Sequence, residues 1–340
     1  MSEKIIILRF SALGDVAMLV PVMRLVKQQY PDIRLKVYTK KPFHQIFELA
    51  DIQAEGIDLK SEYKGIFGLR QLAKEIDEWD PAIVLDMHAV LRTFILNAFC
   101  RTKFYRLHKA RKEKAAMIKS RQRPENALLS MHERYAQVLD KAGIKVDFKE
   151  KCSPISIKHL PQLPFEFKDS SLPFIGIAPF SAHSSKEYPI DKMRKVIQQI
   201  LDEKSVNILL FGGGTRETEE LDALAGKFDN VHSTAGKLNL KDQVKWMGQL
   251  ALMLSMDSGN GHLAAMMGVR VITIWGATHP YLGFQPFGQK AEDQLLPDAT
   301  IYPKIPVSVY GKINDTFYKN AIQSIDAKQI ADKVISALKD

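Results

Sequence analysis

The sequence predicts an α/β protein built from two Rossmann-like domains with parallel sheets facing a central cleft. Three observations predict it. Apolar runs of strand length alternate with helical apolar spacing along most of the chain. The chain opens strand–loop–helix–strand, and the right-handed crossover of such a unit makes its strands parallel. A stretch punctuated by Pro154, Pro161, Pro164 and Pro173 separates two such series, and 340 residues suit two domains.

In order, residues 5–8 are a continuous apolar run, as in a strand buried on both faces. Residues 9–15 form a turn of small and polar side chains. Residues 16–29 carry Leu19, Val22, Met23 and Val26 at helical spacing, ended by Pro31-Asp32. Strands follow at 35–38 and 83–86, and a helix at 131–142 is stopped by Gly143. The first domain is expected over 1–160 and the second over 173–325, with a tail over 326–340. The second series reads strand 174–178, helix 190–201, strand 207–211, helix 217–225, a strand at 231–232 and helix 240–250. Next come a buried strand ending at Met256, a tight turn over 257–261, a short helix over 262–267 stopped by Gly268, and a β-branched strand over 269–275. The helix start there would face the crevice at the strand ends, where free N–H groups favour an anion. The tail, with Ile330, Val334, Ile335 and Leu338, is an amphipathic helix.

Composition narrows the class. With 46% hydrophobic and 26% charged residues the chain is globular, and its surplus of +9 suggests an acidic partner. Two distant cysteines, Cys100 and Cys152, fit a reducing compartment. No secretory h-region and no apolar run of about 20 residues is found. A cytoplasmic protein, peripheral on the inner face of the membrane, is expected. No P-loop, H-E-x-x-H or Cys/His cluster is present, so no cofactor and no metal are expected. Residues 259–264 match G-x-G-x-x-A, yet the acidic residue expected about twenty positions on is missing, which argues against nicotinamide binding.

Several residues could carry chemistry. Asp15, where the first turn enters its helix, is either a helix cap or a general base. Ser181, Ser184, Ser185 and Lys186 form a loop able to hold a diphosphate, or one merely solvated. Glu217 follows Gly212-Gly213-Gly214-Thr215; it could accept from ribose hydroxyls or complement the helix dipole, with Thr215 as the cap. Asp257, Ser258, Gly259 and His262 surround the second turn and suit a phosphate. The basic run over 101–123, with Arg92 nearby, reads as a solvated face, an anionic acceptor site or a surface helix on a membrane, its Phe104, Tyr105 and Leu107 interleaved. No nucleic-acid motif accompanies it, so no nucleic-acid partner is expected.

ILRFSALGDVAMLVP at 7–21, LDMHAVLRT at 85–93, SSKEYP at 184–189, FGGGTRETEE at 211–220 and MDSGNGHLAAMMGVRVITIWGATHP at 256–280 together resemble glycosyltransferase family nine, the ADP-heptose:lipopolysaccharide heptosyltransferases. The resemblance implies a GT-B fold with a final helix that crosses back to the first domain. It implies inverting, metal-independent transfer of a sugar, in the family a heptose, from an ADP-sugar donor to an anionic lipopolysaccharide core acceptor. By position Asp15 resembles the catalytic base, Lys186 the diphosphate-binding lysine and Glu217 the ribose-holding acid. Asp257, Ser258, Gly259 and His262 match the segment around the donor phosphates, and Arg92 and Arg101 would meet the acceptor. Tyr188 stands where the family has Trp, Asn260-Gly261 where it has an apolar pair, and Ala277-Thr278-His279-Pro280 where it reads Pro-Thr-Asp-Pro. These departures are expected on the donor side and bear on the identity of the sugar. The other readings are a GT-B-like sugar-nucleotide epimerase or hydrolase, and a non-catalytic protein that binds an anionic polymer or a membrane.

Overall fold

The computed structural model describes residues 3–120 and 124–338. The chain divides into two compact units, Met1–Ala110 with Met131–Ile155, and Arg111–Ser130 with Ser156–Asp340.

The first unit holds β1 (Lys4–Leu8), α1 (Leu13–Gln29), β2 (Arg34–Lys40), α2 (His44–Leu49), β3 (Gln53–Ile57), α3 (Gly65–Glu78), β4 (Ile83–Asp86), α4 (Leu91–Phe99) and β5 (Phe104–Arg106). α5 (Arg111–Lys119) belongs to the second unit, and α6 (Met131–Asp140) returns to the first. The sheet is parallel in the order β3-β2-β1-β4-β5, with Ile5 beside both Leu35 and Ile83. Ile5, Ile6, Ile7 and Leu8 are fully buried, as a central strand covered on both faces demands. The chain runs outward from β1 through β2 and β3, then crosses to β4 on the other side. That reversal opens a crevice beyond the carboxyl ends of β1 and β4.

The second unit repeats the plan. It holds β6 (Phe174–Ala178), α7 (Ile190–Glu203), β7 (Asn207–Leu210), α8 (Thr215–Ala225), β8 (Val231–Ser233), α9 (Leu240–Met247), β9 (Leu252–Met256), α10 (Gly259–Met266), β10 (Val271–Ile274), β11 (Gln294–Leu295), the short α11 (Thr316–Lys319) and α12 (Ala327–Ala337). Its parallel sheet runs β11-β10-β9-β6-β7-β8, so the reversal falls between β6 and β9. In α12, Ile330, Ala331, Val334 and Ile335 join the core that α7 lines with Met193, Val196, Ile197 and Ile200. The apolar face of the tail, expected from the resemblance to cross back, is taken up inside this unit.

Four local expectations are corrected. α10 begins at Gly259, so the turn is only Asp257-Ser258 and His262 lies within the helix. A Cβ on Gly261 would meet Ser255 Oγ at 3.1 Å, so this glycine permits close helix–strand packing rather than a turn. α8 is preceded by Gly214 at φ +81°, which makes Thr215 its first residue rather than its cap. The basic run is not one surface helix. Phe104 and Tyr105 lie in β5, Leu107 is buried, and only the part from Arg111 is helical. Residues 121–123 of the run lie outside the described residues. Finally, 111–130 departs from a contiguous first domain. The Leu128 N–H donates to the Tyr281 carbonyl at 2.9 Å, and Lys114 Nζ sits 4.0 Å from the centre of the Phe284 ring.

Candidate functional site

Both crevices at the sheet reversals carry charged side chains, and each is built by the two loops that leave the central strands. In the first unit, Arg9 leaves the end of β1 and is 4% exposed. A buried guanidinium needs a partner. Its Nη2 pairs with Asp15 Oδ2, and its Nη1 donates to the Met87 carbonyl at 2.6 Å. Asp15, in the first turn of α1, accepts the Ala12 N–H at 3.2 Å on the same Oδ2. The cap contact is therefore present, and the side chain still keeps 24% of its exposure. The Tyr135 hydroxyl of α6 donates to the Asp15 backbone carbonyl at 3.1 Å.

The facing loop is held as firmly. Buried Asp86 accepts the N–H groups of His88 and Ala89 at 3.1 and 2.7 Å and pairs with Arg106 at 3.0 Å. His88 sets its ring edge-on to Phe10 at 5.5 Å between centres. Burial first, and the positive charge of Arg9 second, push its imidazole down to about 3, so it stays neutral.

In the second unit, the loops after β6 and β9 meet. Lys186 Nζ lies 3.2 Å from Asp257 Oδ2, which also accepts the Thr278 hydroxyl at 2.8 Å. The Ser181 hydroxyl donates to the Asp257 carbonyl at 3.0 Å. Ser185 donates its hydroxyl to the Gly311 carbonyl, and its own carbonyl accepts the Ala277 N–H at 3.1 Å. A Cβ on Gly276 would collide with that Ser185 carbonyl, so this position needs glycine. Ser258, just before α10, shares a hydrogen bond of 3.2 Å with Ser255. The opening N–H groups of α10 thus lie next to an ammonium on the carboxyl side of the sheet, an arrangement suited to an anion.

The predicted residues separate accordingly. Ser181, Lys186 and Asp257 come together, with Ser185 behind them and Ser258-Gly259 at the head of α10. The hydroxyls of Ser181 and Ser185 serve as braces, and Ser184 is exposed. His262 is buried in α10. Glu217 Oε2 accepts the Gly213 N–H at 2.8 Å and so folds the glycine loop. Arg92 is exposed on the first turn of α4, while Arg101 lies beyond its other end with its N–H on Asp77 at 3.0 Å. The two are not neighbours. Tyr188, expected on the donor side, is instead a core residue whose hydroxyl donates to the Ile325 carbonyl at 2.8 Å. His279 is also buried, its ring 4.7 Å from that of Tyr281.

Sequence reasoning missed Arg9, Tyr135 and Thr278. It also missed Glu187, which accepts the Ser181 N–H at 3.2 Å and pairs with Arg216 at 3.0 Å. Arg9 left a signal: a cation directly after a fully apolar strand must be buried against an anion. Tyr135 and Thr278 left none, because their partners stand 120 and 21 positions away.

Comparison with known proteins bears on the family and the fold. Glycosyltransferase family 9 (heptosyltransferase) matches residues 69–304. The lipopolysaccharide core heptosyltransferase OpsX of Haemophilus influenzae is 24% identical over 290 residues, covering 82% of this chain and 80% of that protein. Lipopolysaccharide heptosyltransferase 1 of Campylobacter coli is 26% identical over 299 residues, covering 82% and 85%. Among solved structures, E. coli heptosyltransferase WaaC with ADP superposes with a TM-score of 0.70 at 17% identity, over 98% of this chain and 99% of that one. A family 9 glycosyl transferase from Veillonella parvula gives 0.71 at 17%, over 99% and 98%. These likenesses place the two parallel-sheet units in the GT-B fold.

Proposed function

The chain belongs to glycosyltransferase family 9, and from that premise we propose that it moves a heptose from ADP-heptose to an anionic sugar of a lipopolysaccharide core, inverting the anomeric carbon. The observation that carries the reading is Lys186, held by Asp257 beside the start of α10. A fixed ammonium next to unsatisfied N–H groups is a site for negative charge that grows during reaction. The relatives named above, lipopolysaccharide heptosyltransferases, supply the heptose and the acceptor class, and the WaaC structure with ADP supports the nucleotide.

In this reading Asp15 accepts the proton of the acceptor hydroxyl as its oxygen bonds to the anomeric carbon. The bond from that carbon to the diphosphate breaks, and ADP leaves with both electrons of the bond. Lys186 and the N–H groups of Gly259 and Asn260 balance the charge on the departing phosphate. Asp257 is paired with Lys186 and accepts the Thr278 hydroxyl, so in this reading it orients the ammonium and does not itself meet the phosphates. Glu217, partnered with Gly213, shapes the loop beside which a ribose would lie.

Peripheral attachment to a membrane is part of the proposal. It is supported by Ile66, Phe67, Leu91 and Phe94, which are exposed at the amino ends of α3 and α4. A hollow of about 530 Å³ there is lined by Lys60, Lys64, Arg92, Ile66 and Ile95. Apolar side chains rimmed by cations suit an anionic lipid surface. No helix among the described residues is long and apolar enough to cross a membrane.

The test is a thermal-shift screen of ADP-, GDP-, UDP- and dTDP-sugars, followed by product analysis with a lipopolysaccharide acceptor lacking the outer heptose. The expected result is a shift with ADP-heptose and an acceptor heavier by one heptose. Equal ADP release with and without acceptor would make the protein a hydrolase.

A further inference from the structure

We propose that Arg9 is the positioning residue of the transfer reaction: its guanidinium pins Oδ2 of Asp15 and leaves Oδ1 as the oxygen that takes the acceptor proton. The inference rests on the reading of Asp15 as the base, and it adds which oxygen acts and what holds it.

The two contacts on the carboxylate, from Arg9 Nη2 and from the Ala12 N–H, fall on Oδ2. A carboxylate so held cannot turn about its Cβ–Cγ bond without losing both. Arg9 is itself immobile: its other terminal nitrogen reaches the Met87 carbonyl at 2.6 Å. The guanidinium thus bridges the two loops that leave β1 and β4, and the crevice between those strand ends has a fixed carboxylate at its edge. The Tyr135 hydroxyl fixes the backbone of Asp15 from the side of α6. A fork-shaped cation with two committed nitrogens does what a lysine cannot, since an ammonium is a point charge on a flexible stem.

The gain is geometric: a misplacement of about 1 Å at a reacting group costs on the order of a hundredfold in rate. Ionisable groups nearby include His88 and Asp86 from the β4 side, with Arg106 paired to Asp86 and with Lys109 and Arg92 acting on His88, and Tyr135 from α6, which also buries His132 and Arg134. Neutral His88 is the one that loss of Arg9 would release to titrate at higher pH.

The experiment compares wild type, Asp15→Asn, Arg9→Met and Arg9→Lys in steady-state transfer from ADP-heptose at neutral pH, with thermal melts as the folding check. Asp15→Asn should be inactive; activity near wild type would remove the base reading, and this inference with it. Given an inactive Asp15→Asn, Arg9→Met should lower kcat about a hundredfold with donor KM within twofold. Arg9→Lys, which keeps the charge but not the fork, should recover only part of the lost kcat. A folded Arg9→Met with kcat within threefold of wild type overturns the proposal while leaving Asp15 as the base. Should Arg9→Met fail to fold, Arg9→Lys decides: wild-type kcat there overturns it.

Discussion

The reversal points of the two sheets are the same piece of topology with opposite polarity. At β1/β4 a buried cation, Arg9, holds a partly exposed anion, Asp15. At β6/β9 the anion, Asp257, is the braced member and the cation, Lys186, is what it holds. Topology fixes where a ligand can bind; which charge is anchored and which is presented fixes what each crevice can do. In the proposed reaction the first presents the group that would accept a proton, and the second the one that would stabilise developing negative charge.

The sharpest test of that contrast exchanges function for charge loss at each presented group. Asp15→Ala should lower kcat about a thousandfold, the scale of a general base, while ADP-heptose still raises the melting temperature. Loss of the donor shift as well would mean that the two crevices do not divide the work as described. Lys186→Ala should cost about a hundredfold in kcat/KM, as loss of a preorganised cation does, and should abolish that same shift. An unchanged donor shift would place the diphosphate elsewhere.

Smaller effects probe the anchoring groups. Thr278→Val removes one hydrogen bond from Asp257 and should raise donor KM about tenfold with little change in melting temperature. A wild-type KM would mean that Lys186 needs no such brace. On the other side, His88 reports the field of Arg9. Its folded pKa is depressed to about 3 from 6.5, first by burial and then by Arg9. Between those values the unfolded chain binds a proton that the folded one does not, so stability is full above pH 6.5 and is lost as pH falls towards 3. His88→Gln should flatten that loss, read as denaturation midpoints at pH 7 and pH 5. Equal slopes in both proteins would show that His88 already titrates normally in the fold.

The architecture was legible because it is written in local pattern. The run Ile5 to Leu8 can only be a strand covered on both faces, and the spacing of Ile330, Val334 and Ile335 can only be one helical face. Asp15, Lys186 and Asp257 were legible because each follows a central strand, where a chain of this class places its chemistry. The start of α10 was misread because glycine serves turns and close helix–strand contact alike; only the neighbouring Ser255 tells which. The basic stretch was misread because charge dominates its composition and hides a three-residue strand.

By itself, then, the sequence determined the alternation of strands and helices, the presence of two sheets and the polar residues at their central strand ends, since periodicity and turn chemistry act over a few neighbours. Tertiary structure decided which charge anchors which. It set Arg9 on Asp15, Thr278 on Asp257 and Tyr188 into the core. Electrostatic and hydrogen-bond energies depend on distance in space, and the folded sheets alone bring those groups within reach.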